Sequence, residues 1–200
     1  FAEGKGHATL YVDYRQTAAL WKNRRDYTNC SVVSMGSTGP ACGGSSTWPG
    51  GRFLVFNAAG TVNVGDYTIN ETTGNTLRNR AGGDVFNYAI FNYMQRPDER
   101  FAGGGFVNYE WNKHYQGYLD VMFMNDHTLA QIAPSGDFNN TTHVNCNNPE
   151  LSADEVAKFC TAVGLGPTDM ANVTISRRNI EGGNRTRDLT HTAFRLVAGL

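Results

Sequence analysis

Four cysteines, Cys30, Cys42, Cys146 and Cys160, are the residues of this chain whose spacing most plainly points to chemistry. Each neighbouring pair is close in sequence. No C-x-x-C occurs and no His stands at zinc-finger spacing, so the pattern argues against a metal centre. It predicts two loop-closing disulfides formed in an oxidising compartment. Each would close a loop of about 15 residues, worth about 3 kcal/mol in the chain-entropy model. His127, Ser135 and Asp137 are the residue types of a hydrolytic triad. Ser135, however, lacks a G-x-S-x-G setting, and the stretch reads as a polar loop. Asp98 and Glu99 fall in "RPDER", which suits ion pairs and a turn better than glycoside chemistry. Asp154 and Glu155 fit the first turn of a helix, where acids complement the dipole. No catalytic, cofactor-binding or metal-ligating residue is assigned, and the chain reads as non-enzymatic.

Binding residues are a separate matter. Arg177, Arg178, Arg185, Arg187 and Arg195 could attract an anionic solute, although a solvated strand surface is the plainer reading. Trp21, Trp48, Tyr88 and Tyr93 could stack on sugar rings, although loop packing accounts for each singly. The candidate solute-facing loop residues are Trp48, Tyr88, Tyr93, Arg177 and Arg178. The 17 Lys and Arg against 18 Asp and Glu leave a formal net charge of -1, without the basic excess of a bulk nucleic-acid binder.

Elements must position these residues. The 23 glycines, with nine Tyr and eleven Phe, favour strands, bulges and turns. "HATLYVDYRQTAAL" (His7 to Leu20) alternates, with Leu10, Val12 and Tyr14 on one face and Tyr11, Asp13 and Arg15 on the other. Residues 21 to 99 form a long excursion with only short apolar runs such as "RFLVF" (Arg52 to Phe56). Its "STGPACGGSSTWPGG" is turn chemistry. Residues 100 to 126, "RFAGGGFVNYEWNKHYQGYLDVMFMND", predict a hairpin with "NKH" (Asn112 to His114) at its tip. Residues 127 to 172 form a second excursion. There Ser152 and Glu155 make a capping box, and a short helix is expected over about 153 to 163, stopped at Gly164. "ANVTISRRN" and "RTRDLTHTAFRLVAGL" read as closing strands around "IEGGN", a hairpin loop. In the last strand Thr192, Phe194, Leu196, Ala198 and Leu200 share an apolar face.

No stretch reaches the roughly 20 apolar residues of a membrane helix. Short turns at one rim and long connections at the other are nevertheless the layout of an outer-membrane barrel. Trp111 and Tyr115, flanking the tip, suit an interfacial aromatic belt or cross-strand packing in a soluble sheet.

At "NYMQRPDERFAGGGFVNYEWNKHYQGYLDVMFMNDHTLAQIAPSGDF" (Asn92 to Phe138) the sequence resembles the β-barrel part of TonB-dependent outer-membrane receptors. "MQRPDER", the alternating hairpin and "MFMNDHTLAQIAPSG" carry the likeness. "NCNNPELSADEVAKFC", "SRRNIEGGNRTRDLTHTAFRLVAGL", the first strand and "RRDYTNCS" extend it over nearly the whole chain. The resemblance implies an all-β fold: antiparallel strands of a partial transmembrane β-barrel, with long disulfide-pinned extracellular loops and one short loop helix, over 1–200. It implies a Gram-negative outer membrane and active uptake of a bulky solute, such as a siderophore, cobalamin or an oligosaccharide. It implies membrane lipid as a partner, and TonB acting through a plug domain that this chain lacks. The family barrel has about 22 strands, so a segment of a longer protein is expected. Val107, Tyr109, Leu119, Val121 and Phe123 would face lipid, and Asn108, Glu110, Tyr118 and Asp120 the lumen. Gly103 to Gly105 would make room for plug or neighbouring side chains, or form a bulge. The alternative is a secreted, disulfide-bonded β-sandwich that binds carbohydrate, suggested by sequons such as those at Asn70 and Asn172.

Overall fold

The computed structural model describes residues 1–34 and 39–200. Ser37 and Thr38, the start of the stretch read as turn chemistry, lie outside the described residues, and Pro40–Gly43 of that stretch is a strand. In chain order the strands are β1 (Gly6–Thr17), β2 (Leu20–Trp21), β3 (Ser31–Ser34), β4 (Pro40–Gly43), β5 (Arg52–Phe56), β6 (Asn63–Ile69) and β7 (Leu77–Asn79). They continue as β8 (Tyr93–Gln95), β9 (Asp98–Asn112), β10 (Tyr115–Pro134), β11 (Gly136–Asn145), β12 (Met170–Arg178) and β13 (Asn184–Gly199), with helix α1 (Ala153–Phe159) between β11 and β12. The chain divides into two compact units, one of Phe1–Trp21, Tyr93–Gln131 and Thr186–Leu200, the other of Lys22–Asn92 and Ile132–Arg185.

The first unit carries a four-stranded sheet in the order β1-β9-β10-β13. Each strand lies beside the next of its sheet in chain order, as in an up-and-down wall. The sheet is open, with β1 and β13 at its edges. A small sheet joins β2 to β8. The β9–β10 turn is tighter than the sequence suggested. Asn112 still pairs with Tyr115, leaving only Lys113 and His114 in the turn, and the Asn112 Oδ1 accepts the His114 N–H at 2.9 Å. Gln116 then pairs with Glu110, so Trp111 is the extra residue of a bulge.

The second unit shows that the two long excursions are more than loops. They build a five-stranded sheet, β11-β12-β5-β6-β7, with its own core. Alternation makes that core: Phe53 and Val55 of β5 and Ala171 and Val173 of β12 are buried together. Val144, Phe159, Leu77 and the half-cystines Cys146 and Cys160 complete it. The short helix forms as expected over Ala153–Phe159. Ser152 accepts from the Glu155 backbone, and the Glu155 carboxylate accepts the Ser152 N–H. A 3-10 turn, Thr161–Val163, follows, and Gly164 ends it at φ 78°. Asp154 ties the helix to the sheet edge, where its Oδ2 accepts the Leu77 N–H at 2.6 Å. Lys158 and that hydrogen bond hold its carboxyl below the usual range.

Two expectations change here. The second excursion does not begin at 127, because β10 continues to Pro134 and β11 follows at once. The "IEGGN" segment is not a hairpin loop: β12 pairs with β11 and β5, whereas β13 lies beside β10 in the other sheet. Its Ile180–Gly182 forms a 3-10 turn and Gly183 takes φ 71°. The architecture is predominantly antiparallel, as expected, and the described residues form no closed barrel.

Candidate functional surface

The four-stranded sheet presents one apolar face along its whole width. Register fixes which residues share it. Leu10 pairs with Gly105, Val12 with Gly103 and Tyr14 with Phe101. Leu119 pairs with Val107, Val121 with Gly105 and Phe123 with Gly103. On β13 the face is set by Thr192, whose Oγ1 accepts from Asn125 at 2.8 Å, and by Leu200 near Gly117. Phe194 and Leu196 alternate onto the same side between them. These side chains are not packed into a core: Leu10 is 83% exposed, Val12 75%, Phe194 85% and Leu196 69%. Bare alternation cannot explain so much uncovered apolar surface in water, where patches of this kind mark an interaction face.

The apolar band has ends. At one end Asn125 meets Thr192, and one step further His127 Nε2 meets Asp188 Oδ1 at 2.7 Å. On the neighbouring strands Tyr14 Oη donates to Glu99 at 2.9 Å. At the other end Tyr109 and Trp111 pack edge to face at 5.4 Å, and Phe1 stacks on Tyr109. The opposite face is polar and mixed. It carries Asp13, Arg15, Asn108, Glu110, Asp120 and Asp126, a stacked Tyr11–Phe106 pair, and the Arg15–Asp98 ion pair at 2.6 Å. The residues expected to share faces therefore do: Val107, Tyr109, Leu119, Val121 and Phe123 on one, Asn108, Glu110, Tyr118 and Asp120 on the other.

The glycine run makes no bulge, since pairing is continuous through Gly103, Gly104 and Gly105. Neighbouring side chains occupy the space at Gly104 and Gly105 instead. A Cβ on Gly104 would lie 2.7 Å from the Tyr11 ring and 2.5 Å from the Val121 carbonyl oxygen. One on Gly105 would meet Leu10 at 2.7 Å. The Trp111 ring lies over Gly117 in the same manner.

Comparison with models of known protein families, with curated proteins and with solved structures returns no match.

The candidate loop residues do not come together as one solute site. Trp48 is committed: its Nε1 donates to the Gly51 carbonyl at 2.9 Å and to Thr68 Oγ1 at 3.0 Å, under the Arg78 guanidinium. Tyr93 packs on Trp21 with ring centroids 4.2 Å apart. Tyr88 stands at the start of a 3-10 turn and keeps part of its ring exposed. Arg177 is exposed and paired with Glu181, whose carboxyl it holds below the usual range. Arg178 is the clearest departure from an anion-attracting surface, being only 4% exposed. Its guanidinium donates to the Pro134 and Thr47 carbonyls and lies between the Phe86 and Phe138 rings at 4.8 and 4.9 Å. Burial, then the charge of Arg185, pulls its pKa down.

The predicted disulfides are both present, Cys30–Cys42 and Cys146–Cys160. Cys146 and Cys160 lie in the core, whereas Cys42 is exposed. His127 pairs with Asp188, and Asp137 stands across from Arg177 in the β11–β12 ladder. Among the described residues no group of three or more His, Cys, Asp or Glu could hold a metal ion. The Asn172 carboxamide donates to the Ala58 carbonyl at 3.0 Å, which commits that sequon nitrogen to a turn.

Proposed function

We propose that this chain is part of the wall of an outer-membrane β-barrel of the TonB-dependent receptor kind. In this reading the four-stranded sheet crosses the Gram-negative outer membrane, and the disulfide-bonded unit belongs to the extracellular side. The role is active uptake of a bulky solute, non-enzymatic, with TonB acting through a plug domain. The observation that carries it is the exposed apolar band shared by four strands that neighbour one another in chain order. From Phe101 to Trp111 the band runs about 34 Å along the strand. At the tilt usual in such barrels this spans about 25 Å of depth, the height of a barrel's apolar belt. The polar row of Asn125, His127 and Glu99 at one end and the aromatic group of Tyr109 and Trp111 at the other suit the two interfaces. The same exposure weighs against a secreted sandwich, which would cover this face with a second sheet.

Val121 sits at mid-band, opposite Gly105. In the full-length gene product, Val121→Arg should lower the amount of folded barrel recovered from outer membranes, because a lipid-facing Arg at the midplane costs about 2–4 kcal/mol. Asp120→Arg, on the opposite face, should assemble nearly normally. Normal assembly of Val121→Arg would remove the lipid-facing assignment.

A further inference from the structure

Arg177 and Arg178, expected to face a solute, are occupied by other partners, and a different part of the second unit is open. A cleft of about 430 Å³ lies beside α1, lined by eleven residues including Phe53, Phe159, Met170, Asn145, Glu150 and Glu155. That volume is within the usual range for small-molecule sites, about 300–1,000 Å³. Its inner wall is the core itself, where the Phe53 and Phe159 rings pack 5.6 Å apart. Its mouth is formed by the last rung of the β11–β12 ladder, Asn145 opposite Met170, which is 54% exposed. The Cys146–Cys160 bond, adjacent to Asn145, ties that rung to the end of α1.

The charge of the lining is one-sided. Glu150 and Glu155 contribute carboxylates, no Lys or Arg lines the cleft, and His143 is its one further titratable group, neutral in the imidazole form. Glu155 is held in place by the capping box, with one oxygen accepting the Ser152 N–H at 2.8 Å. The only cation of α1, Lys158, is turned to Asp154 and the Tyr67 ring. The Glu150 carboxylate is exposed and takes no hydrogen bond from the described residues. An apolar wall with two carboxylates at its rim suits a molecule with an apolar body and a positive end. An anion would meet like charge there without compensation.

We propose that this cleft is a binding site for a small apolar cation, an amine or guanidinium carried on an aromatic or aliphatic body. As the identity of an imported solute this rests on the receptor reading. As a binding site it does not, because the cleft lies wholly within one unit.

The test uses the full chain in detergent, labelled with 13C at the methionine methyls and titrated with three indoles of matched shape. These are tryptamine (cationic), tryptophol (neutral) and indole-3-acetate (anionic). Met170 reports the cleft, while Met94, Met122 and Met124 report non-specific partition. Tryptamine should shift Met170 saturably and bind more tightly than tryptophol, with indole-3-acetate weakest. Glu150→Gln should weaken tryptamine about two- to fivefold, the value of a partly exposed ion pair, and leave tryptophol unchanged. Glu150 is exposed, so this variant should fold; unshifted spectra of the other methionines would verify it. The proposal falls if Met170 does not respond at millimolar tryptamine, if all exposed methionines shift alike, or if the anion binds best. None of these outcomes touches the lipid-facing assignment, which Val121→Arg reads separately.

Discussion

At the scale of single residues, the most informative positions are those without side chains. Gly103 and Gly104 are adjacent in one strand yet sit in different surroundings. A Cβ at Gly103 would find only the Tyr11 carbonyl oxygen at 3.5 Å, an ordinary contact, whereas one at Gly104 would strike the Val121 carbonyl oxygen and the Tyr11 ring. Gly103→Ala should therefore change stability by less than about 0.5 kcal/mol, as surface substitutions usually do. Gly104→Ala should cost about 1–3 kcal/mol, because backbone has to move. Unfolding of the two variants in one detergent measures the difference, and equal midpoints would show that Tyr11 does not seat on Gly104. The run "GGG" predicted close approach at this place. Which glycine is indispensable depends on the β1–β9 register, a contact between residues far apart in the chain.

At the scale of elements, the short strand β7 shows how the second unit holds its edge. Arg78 makes a bidentate pair with Asp84 at 2.7 and 2.9 Å, and Asp84 also accepts the Ala81 N–H at 2.7 Å. The Arg78 guanidinium is the main reason that Asp84, itself nearly buried, titrates at about 2 rather than the ordinary 3.8. A carboxyl depressed in the folded state binds its proton more readily when unfolded. Its stabilisation is therefore complete above about pH 4–5 and is lost as pH falls toward 2. The shift corresponds to about 2 kcal/mol at most. Asp84→Asn should lower stability at neutral pH and flatten the acid limb between pH 5 and 2 by about that amount. Denaturant unfolding of both proteins across that range measures it, and parallel curves would show that the pair contributes nothing. The capping box of α1 was legible from Ser152 and Glu155 because a helix start is a local arrangement. The Arg78–Asp84 latch was not, since neither spacing nor composition distinguishes it from other loop charges.

At the scale of the whole molecule, the two sheets treat their apolar residues differently. The five-stranded sheet buries Val55, Val173 and Phe159 completely. The four-stranded sheet leaves its aliphatic and aromatic residues uncovered and ends in the unpaired edges β1 and β13. Unpaired edges in lipid cost several kcal/mol per backbone group, so under the membrane reading further strands must lie against both. Sequencing the DNA on either side should find the frame continuing upstream to a plug domain and downstream into more alternating strands. A frame bounded closely by start and stop codons would remove that reading in favour of a soluble protein.

The sequence by itself determined what depends on near neighbours. Alternation set the strands from His7, Arg100, Gly117 and Arg185 and the faces of each. Ser152, Glu155 and Gly164 set the helix ends, and cysteine spacing set both disulfide pairs. The tertiary structure alone decided what depends on distant partners. It turned two apparent loops into a core-bearing sheet and placed β12 and β13 in different sheets. It buried Arg178 between Phe86 and Phe138, and it opened a carboxylate-rimmed cleft beside α1. The physical reason is that strand pairing, burial and charge environment are set by residues brought from far along the chain, whereas periodicity and capping are set within a few positions.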